Sequence, residues 1–161
     1  VGAFIKIPIP VVPFTLQFFF TTMAGLLLGS SLGSASTAAY VILGLLGLPI
    51  FASGGGLGYI FNPSFGYLIG FILGTKVTGK LSEGEVTMRK LLVANFAGLM
   101  VVYICGMVYY YLIGNFVIDK PIALWPLFLY CFLLAVPGDI FLCIFAAILG
   151  KKLIPLLRIK E

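Results

Sequence analysis

One carboxylate stands inside an apolar run. Asp139 lies in LLAVPGDIFLCIFAA, residues 133–147, which reads as hydrophobic helix on both sides of it. Placing such a group at the centre of a membrane helix costs roughly 2.5–3.5 kcal/mol. It therefore faces a cavity or a partner, or serves as a protonated or water-bonded core carboxyl. Pro137 lacks a backbone N–H and Gly138 permits close approach, so the backbone just before Asp139 can line a cavity. Asp139 and Gly138 are the first candidate site residues.

What the chain lacks limits the chemistry. There is no His, which removes the commonest metal ligand and general base. The other acids, Glu83, Glu85, Asp119 and Glu161, fall in loops or at the C-terminus. No second carboxylate stands beside Asp139 for aspartyl or glycosidase chemistry. Cys105, Cys131 and Cys143 form no C-x-x-C pair and read as small hydrophobes. A lone carboxylate is a poor catalyst but a good acceptor for ligand N–H groups, so the expectation is binding, with no catalytic residue, metal or cofactor. Asn62, in FNPSFGYLIGF, is an amide at an outer helix start, and is equally an N-cap or an Asn-Pro turn. Gln17, in PFTLQFFF, is a second intramembrane amide, with an interhelical hydrogen bond as its alternative. Tyr59 and Tyr67 lie near the same outer level as Phe14, Phe65 and Trp125. An interfacial belt is the default for such residues, and a few of them could clasp an apolar ring.

The elements that must position these groups follow from composition. Of 161 residues, 61% are hydrophobic and 9% charged, and the mean hydropathy is +1.19. Soluble domains carry about 25% charged residues. The chain is expected to be an all-α integral membrane protein forming one domain over residues 1–161. Five apolar segments can be placed, at residues 14–28, 35–48, 64–77, 91–113 and 127–153. A span needs about 20 residues, so the second and third are marginal and one of them could be re-entrant. Eight of the ten basic residues, Lys76, Lys80, Arg89, Lys90, Lys151, Lys152, Arg158 and Lys160, fall on one side of this arrangement. The positive-inside rule makes that side, with the C-terminus, cytoplasmic. The net charge of +5 is thus a topology signal in a cell-membrane protein surrounded by lipid, with no nucleic acid as partner. Loops 6–13, 49–63 and 114–126 are then outside. Gly25, Gly29 and Gly33, and Gly66, Gly70 and Gly74, recur four apart. Such rows serve close packing within a bundle or docking to a separate membrane subunit.

Four blocks in order, KIPIPVVPFTLQFFFTTMAGLLLGSSLG, LGLPIFASGGG, NPSFGYLIGFILG and VPGDIFLCIFAAILGKKL, together resemble the BioY family, the biotin-binding S components of energy-coupling factor (ECF) transporters. The resemblance covers nearly the whole chain. It implies a six-helix membrane bundle that binds biotin near its outer face, with a transmembrane T component and two cytoplasmic ATPases as partners. Asp139 matches the aspartate of the family's PGD block, which resembles the group that meets the biotin ureido ring. Asn62 is similar to an asparagine used beside it, and residues 6–13 look like a lid. A ureido ring offers two N–H donors and one acceptor, which Asp139 and Asn62 could satisfy. Tyr and Phe rings suit the thiophane ring. For the biotin carboxylate, Lys6 and the amides after Pro63 are the candidates.

There are two departures. The opening VGAFIKIPIP reads as the tail of an apolar element, so the family's first helix is expected to be largely missing, with five of six spans left. Leu142 stands where many relatives have a Lys three residues after the aspartate, so no role for that Lys carries over. The resulting expectation is the biotin-capturing subunit of a vitamin importer. No G-x-x-x-x-G-K-[ST] motif is present, so energy would come from a partner. The alternative is a stand-alone secondary transporter of a small vitamin-like solute, with Asp139 titrating during transport. A membrane enzyme and a structural assembly subunit are the remaining alternatives.

Overall fold

A computed structural model describes residues 2–7, 14–118 and 121–158, without the side chains of Lys6, Ile7, Phe14 and Arg158. The helices are α1 (Gln17–Leu45), α2 (Phe65–Leu81), α3 (Met88–Phe116), α4 (Leu124–Phe128) and α5 (Val136–Arg158). A 3-10 turn covers Leu57–Phe61 and a π turn Leu129–Leu133. Two short strands, β1 (Lys6–Ile7) and β2 (Phe14–Thr15), pair antiparallel, with Lys6 opposite Thr15.

α1 is two helices joined at a reversal. Gly29 has φ 77° and ψ −176°, a backbone region that only Gly occupies readily. Nothing lies within 4 Å of where its Cβ would stand, so conformation rather than crowding requires Gly there. A Cβ on Gly33 would stand 2.8 Å from the Ala24 carbonyl oxygen. In a straight helix those residues are about 13.5 Å apart along the axis, so the chain folds back on itself. The arms, residues 17–28 and 30–45, correspond to the first two apolar segments of the sequence. Thr75 of α2 ties them together: its hydroxyl donates to the Thr21 carbonyl at 3.1 Å and lies 3.4 Å from Thr37 Oγ1.

α2 runs parallel to the first arm and antiparallel to α3. Side chains at Gly66, Gly70 and Gly74 would place a Cβ 2.2 Å from Tyr109 Cβ, 2.9 Å from Val102 Cα and 2.8 Å from the Gly98 carbonyl oxygen. This glycine row is the α2–α3 seam, so its spacing serves packing inside the bundle. α3 starts three residues earlier than the apolar segment suggests. Thr87 caps it by accepting from the Lys90 amide at 3.3 Å.

The outward face of α3 carries Val93, Phe96, Met100, Ile104, Val108 and Leu112, all exposed. They recur every three or four residues, one stripe of a helix, while Leu91, Ala94, Leu99 and Val102 on the other side are buried. A continuous apolar stripe of this length is a liability in water and neutral in hydrocarbon. Together with the length and hydropathy of α3 and of the α4–α5 run, it makes the chain a multi-pass membrane protein.

The last segment is interrupted where the sequence suggests one helix over residues 127–153. Leu134 N donates to Leu129 O at 3.1 Å, a five-residue π bond, and α5 restarts with Asp139 N donating to Ala135 O at 3.1 Å. Pro137 has no N–H for the carbonyl four residues upstream, and Pro suits the first turn of the restarted helix. The basic residues Lys80, Arg89, Lys90, Lys151 and Lys152 gather at the end of the bundle that holds the α1 reversal, where Gly79 backs onto Ser30. The ribbon, the loop 46–64 and the start of α5 occupy the opposite half.

Candidate functional site

The loop after α1 builds the roof. Phe51 is almost fully buried, 1% exposed, because its ring fills the space beside Gly44, where a Cβ would stand 2.1 Å from Phe51 Cζ. The ring packs on Tyr40 at 5.6 Å and Tyr59 at 4.6 Å. The SGGG run lets this loop close. Gly54 and Gly56 have φ of 111° and 99°, and Gly55 abuts the Leu48 carbonyl, conformations and contacts that a side chain would oppose.

Beneath that roof lies a cavity of about 70 Å³ between the first arm of α1, α2, α3 and the π turn. Its polar lining includes Thr15, Gln17, Tyr59, Ser64, Tyr67 and Asp139, and its apolar wall includes Phe18, Phe71, Leu99 and Val102. Small-molecule sites usually hold about 300–1,000 Å³, so a ligand of that size enters only as wall side chains shift.

Asp139 is 7% exposed. The Tyr103 hydroxyl donates to its Oδ2, and Tyr103 also lines the cavity. Among the described residues, no hydrogen bond or ion pair reaches Asp139 Oδ1. The carboxylate therefore has one oxygen held by the protein and one left for another donor. Tyr67 Oη donates to the Cys131 carbonyl at 3.2 Å. The π turn frees that carbonyl from regular helix bonding.

Four of the residues singled out from sequence come together in this cavity: Asp139, Tyr67, Gln17 and Tyr59. Gln17 Oε1 accepts from Thr15 Oγ1 at 3.0 Å, and its Nε2 donates to Tyr40 Oη at 2.7 Å. Asn62 is not in the lining. Its Oδ1 accepts from the Ser64 amide at 3.0 Å and the Ser64 hydroxyl at 2.8 Å, an Asx turn at the Asn-Pro step. Ser64 itself does line the cavity. The amides of Phe65 and Tyr67 donate to the Asn62 and Ser64 carbonyls, so much of the helix start after Pro63 bonds locally. Gly138 precedes the carboxylate from outside the lining. Lys6 stands opposite the lining residue Thr15 in the ribbon; its side chain, and residues 8–13 of the expected lid, lie outside the described residues.

A family model described as the BioY family matches residues 1–159. The chain belongs to the BioY family. It is 41% identical over 160 residues to a probable biotin transporter BioY of Lysinibacillus sphaericus, covering 98% of this chain and 82% of that one. It is 45% identical over 107 residues to the biotin transporter BioY of Thermotoga maritima, covering 66% of this chain and 63% of that one. Among solved structures it resembles the S component for biotin from an ECF-type ABC transporter, with a TM-score of 0.77, 28% identity, and coverage of 94% of this chain and 82% of that one. Its fold is thus that of the ECF S component for biotin.

Within this BioY chain, sequence reasoning did not single out Tyr103, Thr15 and Ser64, which line the cavity. A signal existed for Tyr103. A phenol in the middle of the apolar run VVYICG needs a buried partner, and among the described residues Asp139 is the one acidic side chain inside a span.

Proposed function

We propose that this chain captures biotin at the outer half of the membrane and serves as the S component of an ECF importer. The observation that carries the reading is the half-used Asp139 carboxylate. Oδ2 is held by Tyr103, Oδ1 has no partner among the described residues, and Asp139 lines a cavity walled by aromatic rings. A ureido N–H supplies the donor that Oδ1 lacks, and Tyr59, Tyr67 and Phe71 supply apolar surface for the fused rings. Lys6, opposite Thr15, is the candidate for the biotin carboxylate. Asn62 shapes the wall through Ser64.

On this reading residues 1–161 act as one binding domain that catalyses nothing. The run GTKVTGK at 74–80 lies inside α2 and is followed by Leu81, so it forms no loop with free amides to cradle phosphate. Energy then comes from partners, a transmembrane T component and two cytoplasmic ATPases. The basic end of the bundle, with the C-terminus, faces the cytoplasm.

The test is equilibrium titration of biotin into the purified, detergent-solubilised protein beside Asp139→Asn. The expected result is tight binding, of nanomolar class or about −12 kcal/mol, that the substitution weakens at least a hundredfold. Absence of binding by the folded native protein would overturn the biotin assignment.

A further inference from the structure

The proton count at the head of the cavity goes beyond the single carboxylate. A tyrosine hydroxyl has one proton and two lone pairs. Tyr103 gives its proton to Asp139 Oδ2, so any further bond it makes must use a lone pair. Tyr103 is 2% exposed, and its ring is braced edge-on by Phe132 at 4.9 Å. Both Tyr103 and Asp139 line the same cavity. Tyr67, which also lines it, has likewise given its proton to the Cys131 carbonyl. Behind Asp139 on α5, Leu142 and Cys143 are buried and offer no competing cation. Tyr103 is the only donor to the carboxylate among the described residues.

We infer that Tyr103 is a second acceptor in the binding site, so that Asp139 Oδ1 and Tyr103 Oη together select a ligand head carrying two N–H donors. This deepens the biotin reading and rests on it: the two ureido N–H groups divide between the carboxylate and the phenol. Tyr103 thereby does two things. It holds the carboxylate in place and it reads the ligand. A head group with oxygen in place of one N–H sets lone pair against lone pair in a buried site, the arrangement by which polar sites reject close analogues.

The experiment measures biotin and its two isomeric cyclic-carbamate analogues, each with one ring N–H replaced by oxygen, on the native protein and on Tyr103→Phe. Native protein should bind both analogues at least about a hundredfold more weakly than biotin. Tyr103→Phe should lose about tenfold or more for biotin, and it should narrow the preference over one isomer while keeping it over the other. Equal weakening of all three ligands would make Tyr103 merely structural and overturn the inference, as would unchanged biotin affinity. Should Tyr103→Phe fail to fold, the native ranking decides: an analogue that binds as well as biotin overturns the two-donor reading. Native protein that binds no biotin would instead remove the functional reading beneath it.

Discussion

Gln17 Nε2 donates to the Tyr40 hydroxyl at 2.7 Å, and that hydroxyl donates onward to the Ile50 carbonyl at 2.8 Å. With Thr15 bonded to Gln17 Oε1, the chain of bonds runs from the ribbon, across both arms of α1, to the loop that carries Phe51. It braces the roof of the cavity, and Thr15 and Gln17 belong both to the brace and to the cavity wall.

Tyr40→Phe removes the two central bonds and leaves the ring packed on Phe51. A lost buried hydrogen bond costs about 1 kcal/mol, and an orphaned partner adds about 1–3 kcal/mol. The variant should therefore melt at a clearly lower temperature in detergent while its biotin affinity falls far less than that of Asp139→Asn. An unchanged melting curve would mean that the brace contributes nothing.

Asn95 is fully buried at 0% exposure. Its Nδ2 donates to the Cys143 carbonyl at 2.9 Å, and its Oδ1 is buried with no partner among the described residues. An unsatisfied acceptor is a standing cost, so replacing the amide by apolar atoms of the same shape sets relief of that cost against the loss of one hydrogen bond of about 1 kcal/mol to a carbonyl inside α5. Asn95→Leu is expected to unfold within about 1 kcal/mol of the native protein. Asn95→Asp, which buries a second acid with no cation to meet it, should lose about 3 kcal/mol or more. Chemical denaturation in mixed micelles compares them; a Leu variant less stable than the Asp variant would contradict this account.

Orientation is checked with introduced thiols. Lys152 is exposed at the basic end and Trp125 is exposed near the other. Lys152→Cys should react with a membrane-impermeant maleimide only in everted vesicles, and Trp125→Cys only in intact cells. Cys131 and Cys143 are buried and give little background. The reverse pattern would turn the protein over in the membrane.

Much of this was legible in the sequence. The scarcity of charge declared the membrane, and four of the five apolar segments each match one helical run, while the fifth is broken by the π turn. Asp139 was conspicuous because its position is costly. Tyr103 was not, because a tyrosine in an apolar run reads first as packing and its partner lies 36 residues away. Gly29 sat in a four-residue row with Gly25 and Gly33, and spacing alone could not separate a packing glycine from one that turns the chain. The π turn at Leu129–Leu133 was hidden for a related reason: Pro137 disturbs the helix upstream of itself, where the sequence still reads as uninterrupted apolar residues. Asn62 showed its Asn-Pro step plainly, but only the structure places Ser64, rather than the amide, in the cavity lining.

The reversal at Gly29 makes the molecule uneven in height. Its two arms, residues 17–28 and 30–45, rise only about 18 and 24 Å, against a hydrocarbon layer about 30 Å thick. α3, with 29 residues, reaches about 43 Å. Lipids beside α1 must thin, whereas α3 must tilt or extend beyond the layer, each at a cost of a fraction of a kcal/mol per Å. The protein therefore imposes a lopsided dent on its bilayer, shallow beside α3 and deep beside the two short arms.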